Sequence, residues 1–152
     1  MKLLIFLMIV GFASTSCNKQ PEPIAYGHDA CHFCKMTIVD QTHSAQIVTD
    51  KGKQFKYDAI ECLINDIQKN QTPETLSTIL VANYSNAGEM IEAQNAHFII
   101  SPEISSPMGA NLSAVDSQEK AKNLHREHTG SLFTWEALQA HFKEKKSGKN
   151  NY

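Results

Sequence analysis

The sequence predicts an α+β protein made of two similar small strand–strand–helix units with antiparallel sheets, followed by a C-terminal helix. Apolar residues alternate along short segments that begin near residues 43 and 96. At each of these two places, two such segments are followed by a stretch with apolar residues at helical spacing. With 152 residues, the chain suffices for one compact domain, or for two half-domains that share a core.

In the first unit, the predicted hairpin has strands at 43–49 and 53–57, joined by a turn at Asp50–Gly52. A helix follows at 59–69, with Asp58 as its N-cap and Glu61 at the spacing of a capping box. Its apolar stripe consists of Ile60, Leu63, Ile64 and Ile67. After a connection at 72–77, residues 78–84 predict another strand.

The second unit is predicted to contain strands at 89–94, 96–101, 112–115 and 131–133. Asp116, with Glu119 three positions later, is expected to cap a helix that reaches His128, and Gly130 to end it in a left-handed conformation. Thr134 is expected to cap a last helix to about 145. These assignments divide a domain at 29–145 into units near 29–84 and 89–133, with a polar tail at 146–152.

The N-terminus resembles a bacterial lipoprotein signal. Its apolar run at 3–13 is too short to span a bilayer, which takes about 20 residues, but it suits a secretory signal. Small residues then precede Cys17. We therefore expect a signal peptide at 1–16, a lipidated Cys17 with a linker at 17–28, and a lipid-anchored, periplasm-facing protein on the inner or outer membrane. Ser14 stands where Leu is usual, so ordinary secretion is the alternative.

Charge and motifs exclude several functions. A formal net charge of -2 and a pI near 6.4 disfavour nucleic-acid binding. The chain has no glycine-rich phosphate loop, no Gly-x-Ser-x-Gly elbow and no His-Glu-x-x-His motif. We therefore expect a protein that is not an enzyme.

The strongest candidate site is the segment CHFCKM, where Cys31, Cys34 and Met36 place two thiols and a thioether within six residues. Soft sulfur donors select Cu(I), zinc or iron–sulfur centres, and the thioether favours Cu(I). If Cys17 is lipidated, three cysteines remain, including Cys62, so at least one thiol lies outside any intramolecular disulfide.

Other interpretations of CHFCKM stay open. Haem attachment is set aside because Lys35, not His, follows the second cysteine. A dithiol oxidoreductase, a structural zinc site completed by Cys62 and a histidine, and a plain Cys31–Cys34 disulfide are the alternatives. His28 and His32 are candidate auxiliary ligands.

The remaining candidate residues also have ordinary structural explanations. Met108 lies between Pro107 and Gly109 in a polar loop, where it could bind metal but also fill a gap under the loop. Cys62 is best explained as a small buried residue. His125 and His128, near a helix C-terminus, suit the helix dipole.

Four features in one order resemble the NosL family: the lipoprotein-like signal and the motifs Asp29–Met36, Phe55–Leu63 and Ser106–Gly109. The resemblance extends from Asp29 to Phe142. Lys35 stands where the family often has Gly, and Thr129 precedes Gly130 where it often has paired Gly.

The resemblance implies an α+β fold of two similar units, related to the organomercury-lyase fold. It also implies a lipoprotein copper chaperone that supplies apo nitrous oxide reductase for assembly of its copper-sulfide centre. Carried over to this sequence, Cys34, Met36 and Met108 would bind one Cu(I), and Cys31 would assist or pair elsewhere. The alternative is a cell-envelope dithiol–disulfide oxidoreductase that uses Cys31 and Cys34.

Overall fold

The computed structural model describes residues 19–70 and 76–149. Its elements, in chain order, are β1 Ala45–Thr49, β2 Gln54–Tyr57, α1 Ile60–Asn70, β3 Leu76–Ala82, β4 Met90–Glu92, β5 His97–Ile100, β6 Leu112–Val115, α2 Gln118–Glu127, β7 Ser131–Phe133 and α3 Trp135–Lys149. The predicted α+β class, the two units and the C-terminal helix are confirmed.

Both units share one topology. The first sheet has the strand order β2-β1-β3-β4, and the second has the order β6-β5-β7. In each, the first strand lies between its hairpin partner and the strand that follows the helix, and all pairings are antiparallel. The edge strand β4 pairs with β3, so it belongs to the first unit and not, as predicted, to the second.

One apolar core joins the two units. It includes Ile47 and Leu63 from the first unit together with Phe98 from the second, all fully buried. The rings of Phe98 and Trp135 lie 5.7 Å apart, so α3 packs on the second sheet. Helix α3 also contacts α1. The C-terminal helix therefore closes the core beside the helix that carries Cys62.

The predicted linker is part of the folded body. The Nε2 of Gln46 donates to the Glu22 carbonyl at 2.9 Å, and the Nζ of Lys56 donates to the Pro23 carbonyl at 2.9 Å. Ile24 is buried in the core. Proline prevents this segment from forming a helix, as expected, but side chains of the first sheet hold its free carbonyl groups.

Two predicted capping boxes are wrong. Helix α2 is capped by Ser117, whose hydroxyl accepts from the Lys120 N–H at 3.3 Å. Asp116 instead accepts from the Lys120 ammonium at 2.7 Å. At α1, the Glu61 carboxylate does not fold back on Asp58, because it bonds to a loop of the second unit.

Other boundaries also differ. His43 lies in a buried turn before β1, since its ring bonds to Asp40 and to Ser113. Helix α2 ends at Glu127 with His128 as its C-cap, so Gly130 does not end the helix as predicted. Gly130 instead lies where the backbone passes too close to the Ile100 carbonyl for a side chain. Helix α3 continues to Lys149, so residues 146–149 of the predicted tail are helical. Thr134 caps α3 as predicted, accepting from the Ala137 N–H.

Among the described residues, no helix is long and apolar enough to cross a membrane. The predicted signal peptide, Cys17 and most of the connection at 72–77 lie outside those residues.

Candidate metal centre

The loop that carries CHFCKM is a closed turn. An antiparallel bridge joins Ala30 to Thr37, and the Cys31 N–H donates to the Met36 carbonyl at 2.8 Å. Lys35 occupies the left-handed region at φ 67, where glycine is favoured. The lysine therefore adopts the backbone conformation that a glycine would favour there, at a cost of about 1 kcal/mol.

The same loop is fastened to β2. The His32 N–H donates to the Lys56 carbonyl at 2.8 Å, and the His32 ring packs at a tilt of 51° against Phe55 with centroids 4.5 Å apart. His28 is exposed. Neither histidine belongs to the metal-competent cluster found among the described residues, so the predicted auxiliary role of these two side chains stays a prediction.

The structure brings three thiols together. The Sγ atoms of Cys31, Cys34 and Cys62 all lie within 4.8 Å of one another, and all three cysteines are free. Cys31 and Cys62 are buried, and Cys34 is partly exposed. The meeting follows from the fold, because the loop lies against β2 and α1 begins directly after β2.

The three thiols differ in their protonation. A hydrogen bond from the Cys62 thiol, together with backbone N–H donors of Asp58 and Cys34, outweighs burial and lowers the pKa of Cys31 to about 4. The same contact with Cys31 raises the pKa of Cys62. Burial raises the pKa of Cys34. Near neutral pH the cluster is therefore one thiolate between two thiol donors.

Met108 lies at the tip of a tight turn. The Gly109 N–H donates to the Ser106 carbonyl at 3.0 Å, and Gly109 has a φ of 76. Pro107 suits the second position of such a turn, which puts Met108 third. The Met108 side chain is 42% exposed, so it does not fill a gap beneath the loop.

Glu61 connects this turn to the cysteine helix. Its Oε1 accepts from the Ser106 hydroxyl at 2.5 Å and from the Ala110 N–H at 3.1 Å. As a result, Met108 and Cys62 line the same cleft, which has a volume of about 420 Å³. The two loops that the sequence singled out thus meet around α1.

Met36 lies next to the thiols at the surface. Its backbone N–H donates to the Cys34 sulfur, and its side chain is 53% exposed. The cleft wall also contains Phe33, the neighbour of Cys34. All the sulfur residues that the sequence indicated therefore lie in the two loops and the helix that surround one cleft.

This arrangement defines a class of protein. Three sulfur atoms lie within reach of one ion. Met36, two residues after Cys34, and Met108, which lines one cleft with Cys62, are both exposed. Soft ligands of this kind favour soft metals such as Cu(I) or zinc over hard oxygen-seeking cations. The chain is thus an α+β protein with a sulfur-rich candidate site for a soft metal ion.

Comparison with known proteins gives the family. The NosL family model matches residues 24–142, so the chain belongs to the NosL family. The copper-binding lipoprotein NosL of Stutzerimonas stutzeri is 25% identical over 148 residues, which cover 88% of this chain and 78% of the relative. The crystal structure of the copper chaperone NosL from Shewanella denitrificans matches with a TM-score of 0.68 at 19% identity. It covers 78% of this chain and 94% of that one, and it confirms the fold.

Sequence reasoning missed two residues of the site. Cys62 was best explained as a buried apolar residue, and its burial is correct, but its sulfur lies beside two others. The available signals were the odd number of cysteines, the zinc alternative that used Cys62, and the Phe55–Leu63 motif that contains it. Glu61 was assigned to a local cap, and no local pattern pointed to its partner 45 residues away.

Proposed function

We propose that this protein binds one Cu(I) between Cys31 and Cys34, with a thioether from Met108, and passes the ion to a copper enzyme. The observation that supports this most strongly is the cluster of three sulfur atoms within 4.8 Å, next to a cleft shared with Met108. Met36, two residues after Cys34, carries a second exposed thioether.

Charge favours two thiolates over three. Two thiolates and one Cu(I) leave a net charge of -1 by simple addition, whereas a third thiolate would leave a larger uncompensated charge in a buried site. The raised pKa of Cys62 agrees with this choice. In the proposed complex Cys62 stays protonated and donates to the Cys31 sulfur.

The accessible sulfurs suit transfer. Cys34 is partly exposed, and Met36 and Met108 are exposed, whereas Cys31 is buried. A ligand of the acceptor can therefore approach from the thioether side and displace the neutral ligands first. Copper then moves by ligand exchange without release into solution, because one coordination position stays open.

We further propose apo nitrous oxide reductase as the acceptor and a lipid on Cys17 as the anchor, which holds the domain on the periplasmic side. The anchor is supported by the name of the Stutzerimonas stutzeri relative, a lipoprotein, and by the signal-like N-terminus, and the acceptor is supported by the resemblance to the NosL family. Side chains of the first sheet hold the segment from Gln20 to Pro23 against the folded body.

The dithiol oxidoreductase alternative conflicts with the site's electrostatics. A redox nucleophile is an accessible cysteine with a lowered pKa. Here the thiol with the lowered pKa, Cys31, is fully buried, and the accessible Cys34 has a raised pKa. The two properties that such an enzyme combines in one residue are divided between two.

The test of copper binding is anaerobic competition with a chromogenic Cu(I) chelator, using reduced residues 18–152. We expect one tight Cu(I) per chain, weakened in Cys34→Ser and in Met108→Leu. Met90→Leu is the matched control, since Met90 lies in β4 and lines a different cleft. Binding that is absent, or indifferent to both site variants, contradicts the proposal and favours a redox pair.

The acceptor is tested separately. Cu(I)-loaded protein is incubated with apo nitrous oxide reductase, and the two proteins are then separated by size. The copper content of each protein fraction is measured. Transfer that outpaces release to an equally strong small chelator supports delivery. Equal rates would mean that the protein only sequesters copper.

A further inference from the structure

We propose that Glu61 is a positioning residue for the copper site: its carboxylate holds the Ser106–Gly109 turn against α1 and so fixes the Met108 thioether beside the cysteine cluster. The inference rests on the proposed function, which it deepens by naming the residue on which the thioether's contribution depends.

The carboxylate joins the two halves of the site directly. Glu61 precedes Cys62 on the first turn of α1, and its Oε1 accepts from both sides of Met108, at the Ser106 hydroxyl and the Ala110 N–H. The Ser106 oxygen also accepts from the Asn111 N–H at 2.9 Å. A single carboxylate oxygen thus fixes where the turn starts and where it ends.

The burial of this group is costly for the fold. Glu61 is only 3% exposed, and among the described residues its Oε2 has no hydrogen-bond partner. An unpaired oxygen on a buried carboxylate is destabilising compared with an apolar side chain of similar size. A residue that only sealed the core at this position would not need a carboxyl group.

Among the described residues, the hydrogen bonds of Glu61 are the ones that tie this turn to α1. Pro107, Met108 and Gly109 are exposed, and the space around Gly109 is open. Without the carboxylate, the turn keeps its internal hydrogen bond but loses its fixed distance from Cys62. The thioether then has to be ordered when copper binds, which weakens binding.

A double-mutant cycle tests the coupling. We expect Glu61→Ala to weaken Cu(I) binding by about 10- to 100-fold, the usual effect of removing a group that orients a ligand. In the Met108→Leu background the same substitution should change the affinity little, because no thioether is left to position. Glu61→Gln retains an acceptor oxygen and should restore most of the affinity. Equal losses in both backgrounds, or no loss in Glu61→Ala, would overturn the proposal.

A measurement without copper covers the case in which Glu61→Ala is poorly folded. The amide hydrogen of Ala110 should exchange faster in Glu61→Ala and in Ser106→Ala than in the wild type, and at the wild-type rate in Met108→Leu. Unchanged exchange in both of the first two variants would refute the positioning role. If the wild type binds no Cu(I), the proposed function fails together with the copper role of Glu61, while the exchange rates still show whether the carboxylate holds the turn.

Discussion

The strength of Cu(I) binding should depend on pH in a way that counts the thiols that lose a proton. Cys31, with a pKa near 4, is already a thiolate at pH 6, with about 1% in the thiol form. Cys34 has a raised pKa and is a thiol throughout the range from pH 6 to 8. Binding to both residues therefore releases one proton, so the affinity should rise about tenfold per pH unit and about 100-fold from pH 6 to 8.

Chelator competition at several pH values measures this slope, with a competing ligand that does not titrate in the range. The Cys34→Ser variant is the control, and its slope should fall close to zero. A flat wild-type profile would show that no thiol proton is lost, which refutes the assignment of Cys34 as a ligand. A slope near two would show that Cys62 also becomes a thiolate ligand.

Two further predictions concern single substitutions. If Cys62 serves as a hydrogen-bond donor to Cys31, then Cys62→Ser should keep Cu(I) affinity within a few fold by chelator competition and Cys62→Ala should weaken it; equal, severe losses in both would identify Cys62 as a ligand instead. At Gly130, φ is 149 and an added Cβ would lie 2.3 Å from the Ile100 carbonyl oxygen, so Gly130→Ala should lower the free energy of unfolding by about 2–4 kcal/mol in denaturant titrations. At Gly27, φ is 82 but nothing lies within 4 Å, so the Ala variant there should cost only about 1 kcal/mol, and similar losses at both positions would contradict the steric argument.

The sequence was sufficient for the elements because their signals are local. Alternation predicted the hairpin of β1 and β2, and the stripe that includes Leu63 predicted α1. The repeated order of strands and helix likewise predicted two related units. These signals depend on neighbours within one turn or one strand, and they do not require knowledge of the fold.

The errors have a common cause in tertiary contacts. Glu61 fits a capping box by spacing, but its carboxylate oxygen accepts a hydrogen bond from the Ser106 hydroxyl of the second unit instead. The segment around Pro23 looks like a linker by composition, but Gln46 and Lys56 bind its carbonyl groups. A short motif shows which hydrogen-bonding groups are available, and only the fold determines which partner is nearest.

The candidate site follows the same division. CHFCKM and the Met108 turn could be recognised as sulfur-bearing loops, and the structure places both beside α1. The role of Cys62 depends on the approach of that loop to the start of the helix, because its sequence surroundings are those of an ordinary buried residue.

The central claim is a Cu(I) site made of sulfur alone, with ligands from both loops. The Cu K-edge X-ray absorption spectrum of the Cu(I)-loaded protein tests it most directly. We predict a first shell of sulfur neighbours only, with one sulfur fewer in Met108→Leu and no change in Met90→Leu. Nitrogen or oxygen neighbours in the wild-type first shell, or a sulfur count that Met108→Leu leaves unchanged, would contradict the account.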